Sequence, residues 1–173
     1  MKKKLGVVVG RFQPLHKGHE KIINYALKKC KRVAVFIGSA QEENTERNPF
    51  SYEVRKHMLR MIYGNRIEIY PLYDLGVGEN TKWGDYLLKT ITNTCGRPDA
   101  MVYGNDGVRS NWFKPEDIAD IKQIIMKREK LPISATMVRD AIMLDNQDDL
   151  RKMVNPKILG YCPILAILMK ARC

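Results

Sequence analysis

Apolar residues recur along this chain in two rhythms. Short runs rich in β-branched residues, Leu5–Val9, Val33–Ile37, Ile67–Pro71 and Ala100–Tyr103, read as strands. Between them the spacing is helical. Ile22, Ile23, Ala26 and Leu27 fall on one face of a stretch near His19–Lys29, and Val54, Met58, Leu59 and Ile62 do so within Ser51–Tyr63. Lys82–Thr94 gives a third helix. Alternating strands and helices predict an α/β domain built on an open, mainly parallel sheet flanked by helices. The unbroken runs Gly-Val-Val-Val and Val-Ala-Val-Phe-Ile suit strands covered on both faces.

Beyond Tyr103 the rhythm changes. Pro115 stands at a plausible first helical position and opens an amphipathic segment through Met126, read as a helix. The loop Lys130–Ser134 leads to short helices near Thr136–Leu144 and Asp148–Met153. The apolar tail from Pro163 to Met169 adds a short helix that packs on the domain or meets another subunit. These form a small C-terminal helical extension, about 136–173, of one domain spanning 1–173, since neither repeat nor linker interrupts the pattern.

Composition narrows the partners. The apolar and charged fractions, 45% and 28%, are those of a globular chain and exclude wholesale disorder. The net charge of +11 favours phosphates, whether on a nucleotide, a nucleic acid or a membrane surface, and does not choose among them. Cys30, Cys95, Cys162 and Cys173 are widely spaced, which fits buried free thiols better than zinc ligands or disulfides. The first apolar run is too short for a signal-peptide core or a membrane span, so a soluble cytoplasmic protein is expected.

In an open α/β sheet, ligands bind beyond the carboxyl ends of the strands. After the first strand comes Gly10-Arg11-Phe12-Gln13-Pro14-Leu15-His16-Lys17-Gly18-His19. Two of the chain's three histidines lie here, at the entry to a helix whose free N–H groups favour an anion. Gly18 permits close backbone approach, and Arg11 adds a fork of donors suited to phosphate. Metal ligation by the histidines lacks obvious further ligands, and a capping or core role is the plainer alternative. A phosphate-binding pair accounts for every feature of the loop. No G-x-x-x-x-G-K-[ST] or G-x-G-x-x-G element occurs.

This segment resembles the first signature of the H-x-G-H nucleotidyltransferase superfamily, and its Gly-Arg-Phe-Gln-Pro opening is similar to that of archaeal-type nicotinamide mononucleotide (NMN) adenylyltransferases. Cytidylyltransferases of the superfamily more often carry Asp where this chain has Gln13. A second match lies at Ile133-Ser134-Ala135-Thr136-Met137-Val138-Arg139, similar to the superfamily's Ile-Ser-x-Thr-x-x-Arg. Alone it reads as a capped surface helix, yet Arg139 in a first turn opposes the helix dipole unless an anion is bound. Gly38-Ser39-Ala40-Gln41 and Arg47-Asn48-Pro49-Phe50 also resemble the archaeal-type pattern, as does Asp74 followed by Trp83. Arg47 is otherwise a solvated loop arginine, and Trp83 otherwise a core anchor. Gly76–Asn80 lengthens the loop between Asp74 and Trp83.

The resemblance implies a Rossmann-like fold and transfer of AMP from ATP to NMN, giving NAD and pyrophosphate. It implies that His16, His19 and Arg139 act on the triphosphate, with His19 at the α-phosphate and Arg11 and Arg139 on the outer phosphates. Gly10, Phe12, Gly18, Tyr103, Gly104, Ile133, Ser134 and Thr136 would complete the ATP side, Gly104 by letting a main-chain N–H approach the purine. Ser39, Arg47, Asp74 and Trp83 would hold NMN. Mg²⁺ would be bound through the phosphates, with no protein ligand set. A homo-oligomer is implied, with neither nucleic acid nor membrane as partner. A CTP-using transferase, another phosphorylated acceptor, or a basic nucleic-acid-binding module are the alternatives.

Overall fold

The computed structural model describes residues 3–76, 80–104, 112–126 and 133–171. Five strands, β1 (Lys3–Gly10), β2 (Cys30–Ile37), β3 (Glu68–Pro71), β4 (Ala100–Gly104) and β5 (Lys122–Met126), form one sheet in the order β3-β2-β1-β4-β5. Every pairing is parallel. The helices are α1 (Lys17–Lys29), α2 (Tyr52–Tyr63), α3 (Asn80–Cys95), α4 (Ala135–Met143), α5 (Gln147–Met153) and α6 (Pro156–Lys170). The chain builds outward from β1 through β2 to β3, then returns to lay β4 and β5 on the other side. The order therefore reverses at β1, and a crevice opens at the carboxyl ends of β1 and β4.

The two-sided burial expected of the strands is present and follows the strand period of two. Val33, Val35 and Ile37 of β2, with Ala100 and Val102 of β4, join one core with α1, α2 and α4 to α6. Ala34, Phe36, Met101 and Tyr103 point the other way, into a second core under α3. Full burial of one such aliphatic side chain contributes about 1.5–3 kcal/mol, which is why these runs contain no charge. Cys30 and Cys162 are buried and Cys95 is half-buried, all as free thiols, and burial pushes Cys95 and Cys162 up to about 11. Cys173 lies outside the described residues. Among the described residues, no helix is long and apolar enough to cross a membrane.

Two expectations need correction. The segment from Pro115 to Met126 is not a helix. Pro115–Ile118 forms a short 3₁₀ turn, and Lys122–Met126 is the fifth strand, paired along its length with β4. Gln-Ile-Ile-Met at a sheet edge imitates an amphipathic helix, because one face of the strand is covered and the other is not. The tail helix starts at Pro156, not Pro163, with Asn155 as its cap. The buried stripe Ile158, Cys162, Leu165 and Met169 carries it through Pro163, outweighing the one main-chain bond that proline removes.

On the other face, α3 lies against the segment after β4 so closely that only glycine fits. A Cβ on Gly84 would stand 1.6 Å from the carbonyl oxygen of Trp112. Gly84→Ala should therefore lower unfolding stability by about 3 kcal/mol, the upper range for overpacking. Chemical denaturation of the two proteins checks this, and an unchanged midpoint would show that the helix and this segment are not in contact.

Candidate active site

His16 is the residue just before α1, and its imidazole Nδ1 accepts the main-chain N–H of Gly18 at 3.1 Å. That bond leaves the ring proton on Nε2. The ring is 6% exposed and stacks on His19 at 3.8 Å, while Phe12 lies 4.8 Å from His19 on its other flank. The capping role and the anion role are thus compatible, since the cap orients the ring. A Cβ on Gly18 would stand 2.9 Å from that ring, so no larger residue fits the turn unless His16 moves. Phe12 is wholly buried at φ 54°, a left-handed conformation that bulky residues avoid. Ser39 adopts φ 50° in the loop after β2. Both strained positions lie where the strands end.

Gln13, also buried, joins three segments. Its side-chain Nε2 donates to Phe50 O and its Oε1 accepts from Phe50 N, both at 2.9 Å. Its own carbonyl accepts from Arg139 Nη1 at 2.8 Å. Residues far apart in sequence are therefore tied together, and Arg139 Nη2 also donates to Thr136 Oγ1 at 3.3 Å. Ser134 caps α4 by accepting from Met137 N, and the carbonyl of Ile133 lies beside the Gly18 turn. Arg11 is half-buried, and its guanidinium is held below its ordinary value first by burial and then by the nearby charges of Arg47 and Arg139. Asp74 acts in the opposite direction. Three cations near one another, opposed at Arg11 by the charge of Asp74, make a field that an anion would relieve.

Beside this cluster opens a cavity of about 680 Å³. Its wall includes Gly10, Arg11, Ser39, Arg47, Asp74 and Trp83, six of the residues expected from the sequence. Gln41 pairs with the main chain of Asp74 in both directions, at 3.1 and 3.4 Å, which fixes the loops after β2 and β3 together. Trp83 meets Trp112 edge-on at 6.2 Å, and both line the cavity. Asn48 also lines it, 6% exposed, with a buried Oδ1 that accepts no hydrogen bond. Tyr103 is a core residue whose hydroxyl bonds to Gln123, and Gly104 ends β4. Asn105 and Asp106 lie outside the described residues, as do Val77–Glu79 of the lengthened loop.

A family model described as cytidylyltransferase-like matches residues 7–148. The chain belongs to the cytidylyltransferase-like family. A nicotinamide-nucleotide adenylyltransferase of Aeropyrum pernix is 31% identical over 161 residues, 90% of this chain and 88% of that one. One from Thermococcus sibiricus is 46% identical over 146 residues, covering 81% and 74%. Among solved structures, a bifunctional NMN adenylyltransferase/ADP-ribose pyrophosphatase from Francisella tularensis, complexed with AMP and manganese, superposes with TM-score 0.66 at 29% identity. That match covers 82% of this chain but only 42% of the bifunctional protein.

Within this family member, sequence reasoning missed Trp112, Asn48 and above all Arg55. Trp112 carried no motif. Asn48 was quoted only as part of Asn-Pro-Phe. Arg55 carries no motif and sits on an amphipathic helix, where cations ordinarily face water, yet it is 0% exposed. The imidazole geometry yields a direct check. In ¹⁵N NMR at mildly alkaline pH, His16 should carry its proton on Nε2 with Nδ1 bare, and a proton on Nδ1 would contradict the cap.

Proposed function

We propose that this protein transfers the adenylyl group of ATP to NMN, forming NAD and pyrophosphate. The observation that carries the reading is a cluster of cations, Arg11, Arg47 and Arg139, of which Arg11 and Arg47 stand in the wall of an aromatic-lined cavity. The relatives' names point to the same reaction.

An oxygen of the NMN 5′-phosphate attacks the α-phosphorus of ATP, the new P–O bond forms, and the bond to pyrophosphate breaks. The nucleophile is already an anion, so neither a general base nor a covalent intermediate is needed. Rate enhancement then comes from alignment and from charge stabilisation on the α-phosphate and leaving group. His19 and the Nε2–H of His16 donate to the triphosphate, with His19 at the α-phosphate. Arg11 and Arg139 hold the outer phosphates, and Ser134 and Thr136 add donors at the start of α4. On the acceptor side, Arg47 takes the NMN phosphate and Ser39 supplies a hydroxyl. Trp83 gives the cationic pyridinium an aromatic face. Asp74 balances its charge, and Asn48 Oδ1 accepts from a hydroxyl or the carboxamide.

Mg²⁺ fits as a charge-neutralising companion of the phosphates. Glu42 and Asp74 on the cavity wall offer hard oxygens, but among the described residues no three side chains converge into a cage, so the phosphates themselves would hold the ion. Leu144 and Ile167, 79% and 65% exposed, provide apolar surface that a homo-oligomer would cover.

His19→Ala should lower kcat at least about 10²-fold, the size typical of losing a transition-state donor. Normal turnover in that variant would remove the mechanism. Assay of ATP and CTP against NMN, nicotinate mononucleotide and phosphopantetheine, following pyrophosphate, should give the highest kcat/KM for ATP with NMN. Preference for CTP or for phosphopantetheine would move the protein to another branch of the family.

A further inference from the structure

Arg55 lies in the first turn of α2, under the loops that follow β1 and β2, and is wholly buried. It makes five hydrogen bonds, and every one goes to a main-chain carbonyl. Nε donates to Ser51 O at 3.1 Å. Nη1 donates to Arg11 O at 3.2 Å and to Gly38 O at 2.8 Å. Nη2 donates to Ser39 O at 3.0 Å and to Glu42 O at 3.4 Å. A guanidinium has five N–H donors, so the group is saturated. Among the described residues no carboxylate accepts a hydrogen bond from it.

That arrangement is expensive and specific. A buried charge loses its hydration, and here burial, with the nearby charge of Arg11, pushes the guanidinium down to about 10, still charged at neutral pH, while Asp74 and Glu43 act in the opposite direction. An apolar side chain would fill the space at less cost, but it would leave these carbonyls without donors. Lysine has three donors and no planar fork, so it cannot serve five acceptors in one plane. The carbonyls it gathers belong largely to two loops that meet at one cavity: Arg11 lines it and also stands in the cation cluster, while Gly38, Ser39 and Glu42 line it from the other loop.

We infer that Arg55 is a positioning residue for the transfer, a buried plate that sets the loop carrying Arg11 against the loop carrying Ser39 and so fixes the distance between the two reacting phosphates. The strained φ of Ser39 fits this role, because such a conformation persists only where neighbouring bonds over-determine it. Gln13 performs the complementary join from the other side, to Phe50. The inference rests on the adenylyl-transfer reading proposed above.

The test uses full-length Arg55→Lys and Arg55→Ala beside the unaltered protein, with ATP and NMN, each assayed well below its own unfolding midpoint. A misplacement of one ångström can cost about 10²-fold in rate, so Arg55→Lys should lose about that factor in kcat while each KM changes only a few-fold. Methylguanidinium should restore at least tenfold of the activity lost by Arg55→Ala, roughly half of that barrier change. It should do nothing for Arg11→Ala, which lacks the buried hole. The Arg11→Ala and Arg55→Lys losses should combine to less than their product, since both act through one loop. Arg55→Lys turnover within twofold of the unaltered protein, a loss matched by the unfolded fraction in circular dichroism, or failure of both variants to fold even with methylguanidinium would each overturn the inference. An unaltered protein that forms no pyrophosphate from ATP and NMN would instead overturn the reaction assigned to it.

Discussion

The constraint on which this structure turns is the crowding of like charge at the carboxyl ends of β1 and β2. Arg11, Arg47 and Arg139 lie close enough to depress the ionisation of Arg11, and Arg55 lies beneath them. Two unit charges about 7 Å apart in a protein of effective dielectric 20 repel by about 2 kcal/mol. Ion pairing does not absorb this, since only the longer-range charges of Asp74 and Glu43 are seen to oppose Arg11 and Arg55 among the described residues. Main-chain carbonyls do. Arg139 is bonded to Gln13 O and Arg55 to five carbonyls, so dipoles of the loops hold the cations in place. What remains uncompensated is positive potential aimed at open space, and a triphosphate is the ligand that potential fits.

The fold serves this arrangement by making the loops rigid at their roots. The ladder pairs the strands up to these ends, Gly10 with Ile37 and Gly104 with Met126, so the chain leaves the sheet there in fixed directions. The reversal of strand order at β1 leaves room beyond its end, and α1 starts there with its free N–H groups facing the gap. The C-terminal helices close the far wall: Lys17, between the two histidines, donates to the carbonyl of Arg151 in α5 at 2.7 Å. A helical extension that looks accessory in the sequence thereby fixes the start of α1.

Much of this was legible from residue order alone. The strands read from Leu5, Val33, Ile67 and Ala100 are all present: three of them are unbroken apolar runs that few helices tolerate, and Ile67-Glu68-Ile69 at one sheet edge shows the strand alternation. The other edge strand, β5, was not legible. Lys122–Met126 is covered on one side only, and over five residues that pattern cannot be told from a helix face. The site divides in the same way. His16 and His19 could be proposed as a phosphate-binding pair from their spacing at a helix entry, and Ser134 and Arg139 from the resemblance of their segment to a known signature. Gln13 and Arg55 could not be assigned their roles, since both act on main-chain atoms, and main-chain partners leave no trace in sequence. Arg55 gives the least signal, for a cation on an amphipathic helix ordinarily faces water.

The central claim is spatial: the triphosphate binds over His16, His19 and Arg139, and the pyridine ring enters the cavity walled by Trp83 and Trp112. A crystal structure with NAD bound tests it most directly. The account predicts the adenylyl phosphate within hydrogen-bonding reach of His19, the other phosphate beside Arg47, and the nicotinamide against Trp83. An inverted dinucleotide, with adenine in the aromatic cavity, would contradict it.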